Sequence, residues 1–175
     1  VSIDGNREIN DSVRGDGVFS RVMENYSGDK RVAINMTLTR DNYRELEAVT
    51  KIAKENGFKG VVCNICAGAT DVTSRWVLKK EERKTIIKEI KRVKTLYPRD
   101  FLLTKTMIKW YEYPDHRDSC YWGDEVLHFD VSWNRRRCFG NKSDCSNCGC
   151  LAGAFQSPLS MLRHLREMMK ILVCS

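Results

Sequence analysis

Long apolar runs are missing from this chain: none exceeds a few residues, and Lys and Arg are spread throughout. That leaves no secretory apolar core and no candidate for a membrane-spanning segment, so a cytoplasmic protein is expected. Low-complexity linkers are missing too. Histidine is scarce, and His116, His128 and His164 share no metal-ligand spacing, so each is expected to serve the structure. A compact basic surface is also wanting. The net charge of +7 invites a nucleic-acid reading, but the bases from Lys79 to Arg83 and from Lys84 to Lys94 lie among glutamates on one expected helix, the pattern of a solvated face. Nucleic acid is therefore not the expected partner. Only Arg135, Arg136 and Arg137 form a tight run, and it abuts Cys138, where it can screen an anionic site.

What the sequence has in abundance is cysteine. Five of its eight cysteines fall between Cys120 and Cys150, and Cys145, Cys148 and Cys150 form C-x2-C-x-C behind a C-x6-C that starts at Cys138. Thiolates at this density either pair as disulfides or share a metal, because each deprotonated sulfur in a partly buried place needs a counter-charge. A reducing compartment favours the metal. Zinc and an iron-sulfur cluster both accept four cysteines, so spacing alone leaves them open. A zinc-stabilised basic module that binds nucleic acid or a protein partner without catalysis is one reading of the pattern, and a plain disulfide framework is another.

At 175 residues the chain can bury one sizeable core, with or without a small appendage. Its first part is periodic. Val1 to Gly5 alternates as a strand; Asn6 to Gly17 is polar and glycine-punctuated and reads as a loop; Val18, Phe19, Val22, Met23 and Tyr26 then fall at helical spacing before Gly28. Arg31 to Thr39 alternates again, a helix is expected from about Asp41 to Asn56, and a third strand from Lys59 to about Ile65. After a long loop, Ile86, Ile90, Val93 and Tyr97 mark a helix that ends before Pro98. Repeated strand-helix units indicate a parallel α/β sheet or part of a β/α barrel. Alternation places Ser2, Asp4, Asn35 and Asn64 on one shared polar face, and in a β/α barrel the carboxyl ends of the strands form the active site. Phe101 to Tyr113 starts strand-like and turns helical, the residues from Leu127 to Cys138 read as a hairpin, and Ser157-Pro158 starts a closing helix with a buried stripe of Leu159, Leu162, Leu165, Met169 and Leu172.

Val1-Ser2-Ile3-Asp4-Gly5, followed by Ile9-Asn10-Asp11, Arg14-Gly15 and Phe19-Ser20-Arg21-Val22, resembles the fourth strand and following helix of radical S-adenosylmethionine enzymes, especially those with a SPASM or twitch extension. Arg31 to Thr39 looks like the fifth strand and Gly60 to Gly68 the sixth, and the cysteines from Cys120 to Cys150 are similar to the auxiliary-cluster module. The resemblance implies the carboxyl-terminal half of a partial β/α (TIM-like) barrel over 1–113, then a cysteine-rich module with a closing helix over 114–175. It implies S-adenosyl-L-methionine near Ser2, Asp4, Arg14 and Asn35, with Arg14 on the methionine carboxylate and Ser2 on the ribose. It also implies an auxiliary 4Fe-4S cluster on four of Cys120, Cys138, Cys145, Cys148 and Cys150; the hairpin favours the first four, with Cys150 next. The family's C-x3-C-x2-C loop is absent. The chain also begins in mid-strand, so a piece of a longer enzyme is expected, inactive by itself. Its implied partners are the missing half of the barrel, an electron donor and a substrate left open among peptides, cofactor precursors, lipids and small molecules.

Other candidates have plainer expectations. Cys63 and Cys66 form C-x2-C, but on a strand they face opposite ways and read as small core residues. Cys174 reads as a frayed terminal thiol. Asp71 and Asp130 are lone carboxylates, weak candidates for general bases. Trp110, Tyr111, Tyr113, Tyr121, Trp122 and Trp133 are expected to pack around the cluster, and Gly68 to make a turn or admit an adenine.

Overall fold

The structure is a computed structural model that describes residues 1–66, 76–116, 120, 127–130, 132–136, 138, 145–154, 162, 165–167 and 169. It mixes helices with a small parallel sheet. Strands β1 (Ala33–Leu38) and β2 (Gly60–Ile65) pair in parallel from Ala33↔Gly60 to Leu38↔Ile65. Single parallel bridges extend this pair on both sides, Ser2 to Asn35 and Phe101 to Val61. Spatial order therefore follows chain order: the first residues, β1, β2, then the stretch at Phe101. Parallel neighbours need crossovers, and helices supply them.

The expected alternation holds. Ile34, Met36 and Leu38 are fully buried, as are Val61 and Cys63, while Asn35, Thr37, Val62 and Asn64 are half-buried on the other side. Against the apolar face pack α3 (Leu46–Glu55), through Leu46, Val49 and Ala53, and α4 (Lys80–Leu96), through Ile86, Ile90 and Val93. Thr50, also buried, donates its hydroxyl to Leu46 O at 2.7 Å and so carries no unpaired polar group. Helix α5 (Lys105–Glu112) starts at Thr104, whose hydroxyl accepts from Met107 N at 3.2 Å, and buries Met107, Ile108 and Tyr111. Each fully buried Ile, Leu or Met contributes about 1.5–3 kcal/mol relative to exposure.

Three expectations change. The segment from Asn6 to Gly17 is not a loop but carries a helix, α1 (Arg7–Arg14), capped by the Asn6 side chain, which accepts from Ile9 N at 3.1 Å. Its composition is polar because its outer face is solvated, and a capping asparagine, an early Glu8 and a late Arg14 were enough to set it. Helix α2 (Val18–Tyr26) follows directly, with the Asp11 carboxylate of α1 accepting from Phe19 N at 2.8 Å and Gly17 N at 3.1 Å. The bond from Phe19 is the main reason that this carboxyl is held below its ordinary value.

The reading of the bases on α4 as a solvated face is the second change: Arg83 is only 4% exposed. It shares a stripe with Ile86, Ile87 and Ile90, three, four and seven positions on. The third concerns the closing helix. Residues 162, 165–167 and 169 are helical, but Leu162, Leu165 and Met169 are each more than half exposed. Spacing determined which side chains share a face, not what covers it; Thr106 N instead donates to Glu167 Oε2 at 3.5 Å. Leu159 and Leu172 lie outside the described residues. The hairpin is as expected, with β3 (His128–Phe129) antiparallel to β4 (Arg135–Arg136). Among the described residues no helix is long and apolar enough to cross a membrane.

Candidate functional site

The carboxyl end of the parallel sheet holds two features side by side. One is an open cavity of about 610 Å³ lined by Asp4, Ser12, Arg14, Thr37, Asp41 and Cys66, among others. The other is the thiol-rich segment, docked onto the end of β2.

Asp4 organises the cavity. Its side chain is 4% exposed and forms an ion pair with Arg14 at 2.7 Å, while its other oxygen accepts from Thr37 N at 2.8 Å. Its backbone is held too, donating to Asn10 Oδ1 at 3.0 Å and accepting from Asn42 Nδ2 at 3.0 Å. Thus α1 supplies both Asn10 and Arg14, and the helix missed in the sequence builds one wall. Of the four residues assigned to the nucleoside cofactor, Asp4 and Arg14 line the cavity and hold each other. Ser2 and Asn35 sit one step back on the same sheet face, paired across neighbouring strands. Asn35 Oδ1 accepts from Asn64 Nδ2 at 3.0 Å, so the polar face expected from alternation is continuous from the first strand to β2.

Asn64 links the two features. Its Oδ1 accepts from Leu151 N at 2.9 Å, and next to it Ile65 N donates to Gly149 O at 3.0 Å. Cys66 then lines the cavity. Consecutive residues of one strand end thus touch both the thiol segment and the cavity wall. Only glycine fits at 149, because a Cβ there would lie 1.9 Å from Ile65 O. Further clamps come from Cys148 N to Pro114 O at 3.0 Å, His116 N to Cys145 O at 3.0 Å, and Trp110 Nε1 to Cys150 O at 3.1 Å. Arg83 donates to Tyr111 O at 2.9 Å, to Asn147 Oδ1 at 2.9 Å, and to Cys148 O. Neither Arg83 nor Asn147 was singled out in the sequence. The signal for Arg83 was its place on the apolar stripe of α4; for Asn147 there was none, since its partners are distant in the chain.

Among the described residues no cysteine forms a disulfide. Burial pushes the Cys148 thiol up to about 11, with the thiols of Cys150, Cys120 and Cys145 adding to the rise. Four of the five candidate ligands thus share one electrostatic neighbourhood. Cys138 is part-buried. No three Cys, His, Asp or Glu side chains among the described residues converge closely enough to hold one ion. The donors fit a thiophilic ion or an iron-sulfur cluster in kind, as soft sulfurs in a half-buried setting beside a guanidinium.

The remaining candidates separate clearly. Cys63 is fully buried in the core and its thiol is pushed strongly up by burial, whereas Cys66 faces the cavity, raised by burial and by Asp4. They do not form one site. Asp130 holds its hairpin turn, accepting from Ser132 N and Asn134 N at 2.9 Å each. His116 is buried and stacks on Trp110 with ring centroids 3.2 Å apart. Tyr111 is buried and donates to Cys63 O at 2.7 Å, but Tyr113 and Trp133 are 65% and 81% exposed, so the aromatic shell is narrower than expected. Gly68, Asp71, Tyr121, Trp122, Arg137, His164 and Cys174 lie outside the described residues. Comparison with protein-family models, curated proteins and solved structures returns no match.

Proposed function

We propose that this chain is part of a radical S-adenosylmethionine enzyme, contributing a wall of the nucleoside site and an auxiliary 4Fe-4S site for modification of a substrate. The finer fold in this reading is the later half of a partial β/α barrel. Supporting it is a parallel sheet whose order follows the chain, as in successive barrel strands. The observation that carries the reading is the docking of the cysteine segment onto the same strand end that borders the Asp4–Arg14 cavity.

In this reading Cys120, Cys138, Cys145 and Cys148 hold the cluster, with Cys150 as the alternative fourth donor. Ser2, Asp4, Arg14 and Asn35 address the cofactor. An auxiliary cluster of this kind relays an electron or, with one iron open, binds substrate. The chain's own contributions are positional. Asp4 fixes Arg14 at the cavity rim, where its guanidinium can meet a carboxylate in a charge-assisted contact. Asn64 and Gly149 fix the spacing between cavity and thiols.

Anaerobic reconstitution with iron and sulfide tests the reading. A brown protein holding about four irons per chain, with the visible absorption of a thiolate-bound cluster, is expected. A colourless product with one zinc and no iron would sink it in favour of the zinc-stabilised module.

A further inference from the structure

We propose that Lys94 is a modification site whose amine takes an acyl group from a small activated donor, a thioester or an acyl phosphate, and that the transfer loosens the joint between α4 and the edge of the sheet. It involves none of the cysteines and stands whether or not the cluster reading does.

Lys94 lies in the last turn of α4, where lysines commonly reach the free carbonyls of a helix end. This one reaches further. Its side chain is half-buried, and Nζ donates to Pro98 O at 2.8 Å and to Phe101 O at 2.7 Å. Both carbonyls lie past the helix, in the turn that carries the chain back to the sheet. Around that turn Phe101 N donates to Tyr97 O at 3.0 Å, Val61 N to Asp100 O at 2.8 Å and Leu102 N to Val61 O at 2.7 Å. Gly60 packs so closely there that a Cβ would lie 2.3 Å from Asp100 O. The Lys94 amine thus ties the end of α4 to the stretch that bridges β2.

This geometry suits a neutral amine as well as an ammonium. A neutral amine has two hydrogens, the two carbonyls take both, and its lone pair is left free to attack. Burial favours that form and brings the amine down to about 8, against a smaller opposing pull from Glu167. At pH 8 such an amine is about half neutral, whereas an ordinary lysine is less than about 1% neutral. Lys51 goes the other way, held charged by its bond to Glu47 at 2.9 Å. In the transfer, Nζ attacks the acyl carbon, and the bond from that carbon to sulfur or phosphate oxygen breaks. The leaving group departs with the electron pair, and the proton passes from nitrogen to water. The product amide has one N–H and no charge, so it keeps at most one of the two carbonyl bonds.

The test treats the whole chain at about pH 8 with acetyl phosphate or acetyl-coenzyme A in separate arms, and follows each lysine by peptide mass mapping at short times. Lys94 is expected to acylate roughly tenfold faster than the exposed Lys54, Lys59 and Lys88, and the arm that succeeds names the donor. Rates at Lys94 no higher than at those three, in both arms, overturn the site. Hydrogen exchange reads the joint: at the Val61 and Leu102 amides it should rise about fivefold in the acylated chain and in K94Q, the effect of one lost hydrogen bond. K94R, which keeps charge and donors, should resist acylation and exchange like the parent. Protection of those two amides unchanged by acylation overturns the loosening.

Discussion

The strand-helix region and the thiol segment are held by different forces. From Ile3 to Tyr111 the fold rests on a continuous apolar core, most of whose members are fully buried. Between Cys145 and Ala154 the chain makes only short helical turns, at Cys145–Asn147 and Leu151–Ala154, and Ala154 is its one described residue in that core. It is suspended by hydrogen bonds from Asn64, Ile65, Arg83 and Trp110. Each such bond nets only about 0.5–1.5 kcal/mol, more where a charge takes part. The first region can therefore stand on burial alone, while the second depends on its host.

The largest test of that contrast is Met36→Ala. Met36 is fully buried in the centre of β1, and its loss is expected to cost about 2–5 kcal/mol in urea unfolding. A cost under about 1 kcal/mol would mean that burial is not what holds the first region. Next comes Gly149→Ala, which forces a Cβ against Ile65 O at a local cost of about 1–3 kcal/mol. Here the core should persist, while hydrogen exchange at the Ile65 amide accelerates; an unchanged Ile65 amide would refute the docking.

Asp4→Asn sharpens the comparison inside the first region. The amide still accepts from Thr37 N but loses the ion pair to Arg14, a loss of about 1.5 kcal/mol, and a carboxylate probe should then bind the freed Arg14 more tightly. No change in either stability or probe binding would show that the pair organises nothing. The smallest effect belongs to Glu47, which Lys51 and Arg92 hold down to about 2 from an ordinary 4.5. A depressed carboxylate stabilises above its unfolded value and loses that stability as pH falls from 4.5 through about 2. In Glu47→Gln that slice of acid sensitivity should vanish from urea midpoints, and salt should erase most of it in the parent. A variant with the parental acid profile would refute the assignment.

Much of the fold was legible because burial writes periodicity into sequence. The alternation of Ile34, Met36 and Leu38 gave β1, and the spacing of Ile86, Ile90 and Val93 gave α4. Helix α1 was not legible because its information lies in caps and in Asp4, a partner ten residues from Arg14. The site was half legible. Composition marked the cysteines and alternation marked Asn35 and Asn64, but nothing local says that Arg83 reaches Cys148, 65 residues on. Long-range polar contacts carry no period.

The bond from Ile65 to Gly149 also has a consequence in time. At about 5–20 residues per second, synthesis delivers the glycine several seconds or more after the isoleucine has emerged, so the strand end must wait with its amide in water. The end of β2 is capped by a late arrival, long after the strands beside it have paired.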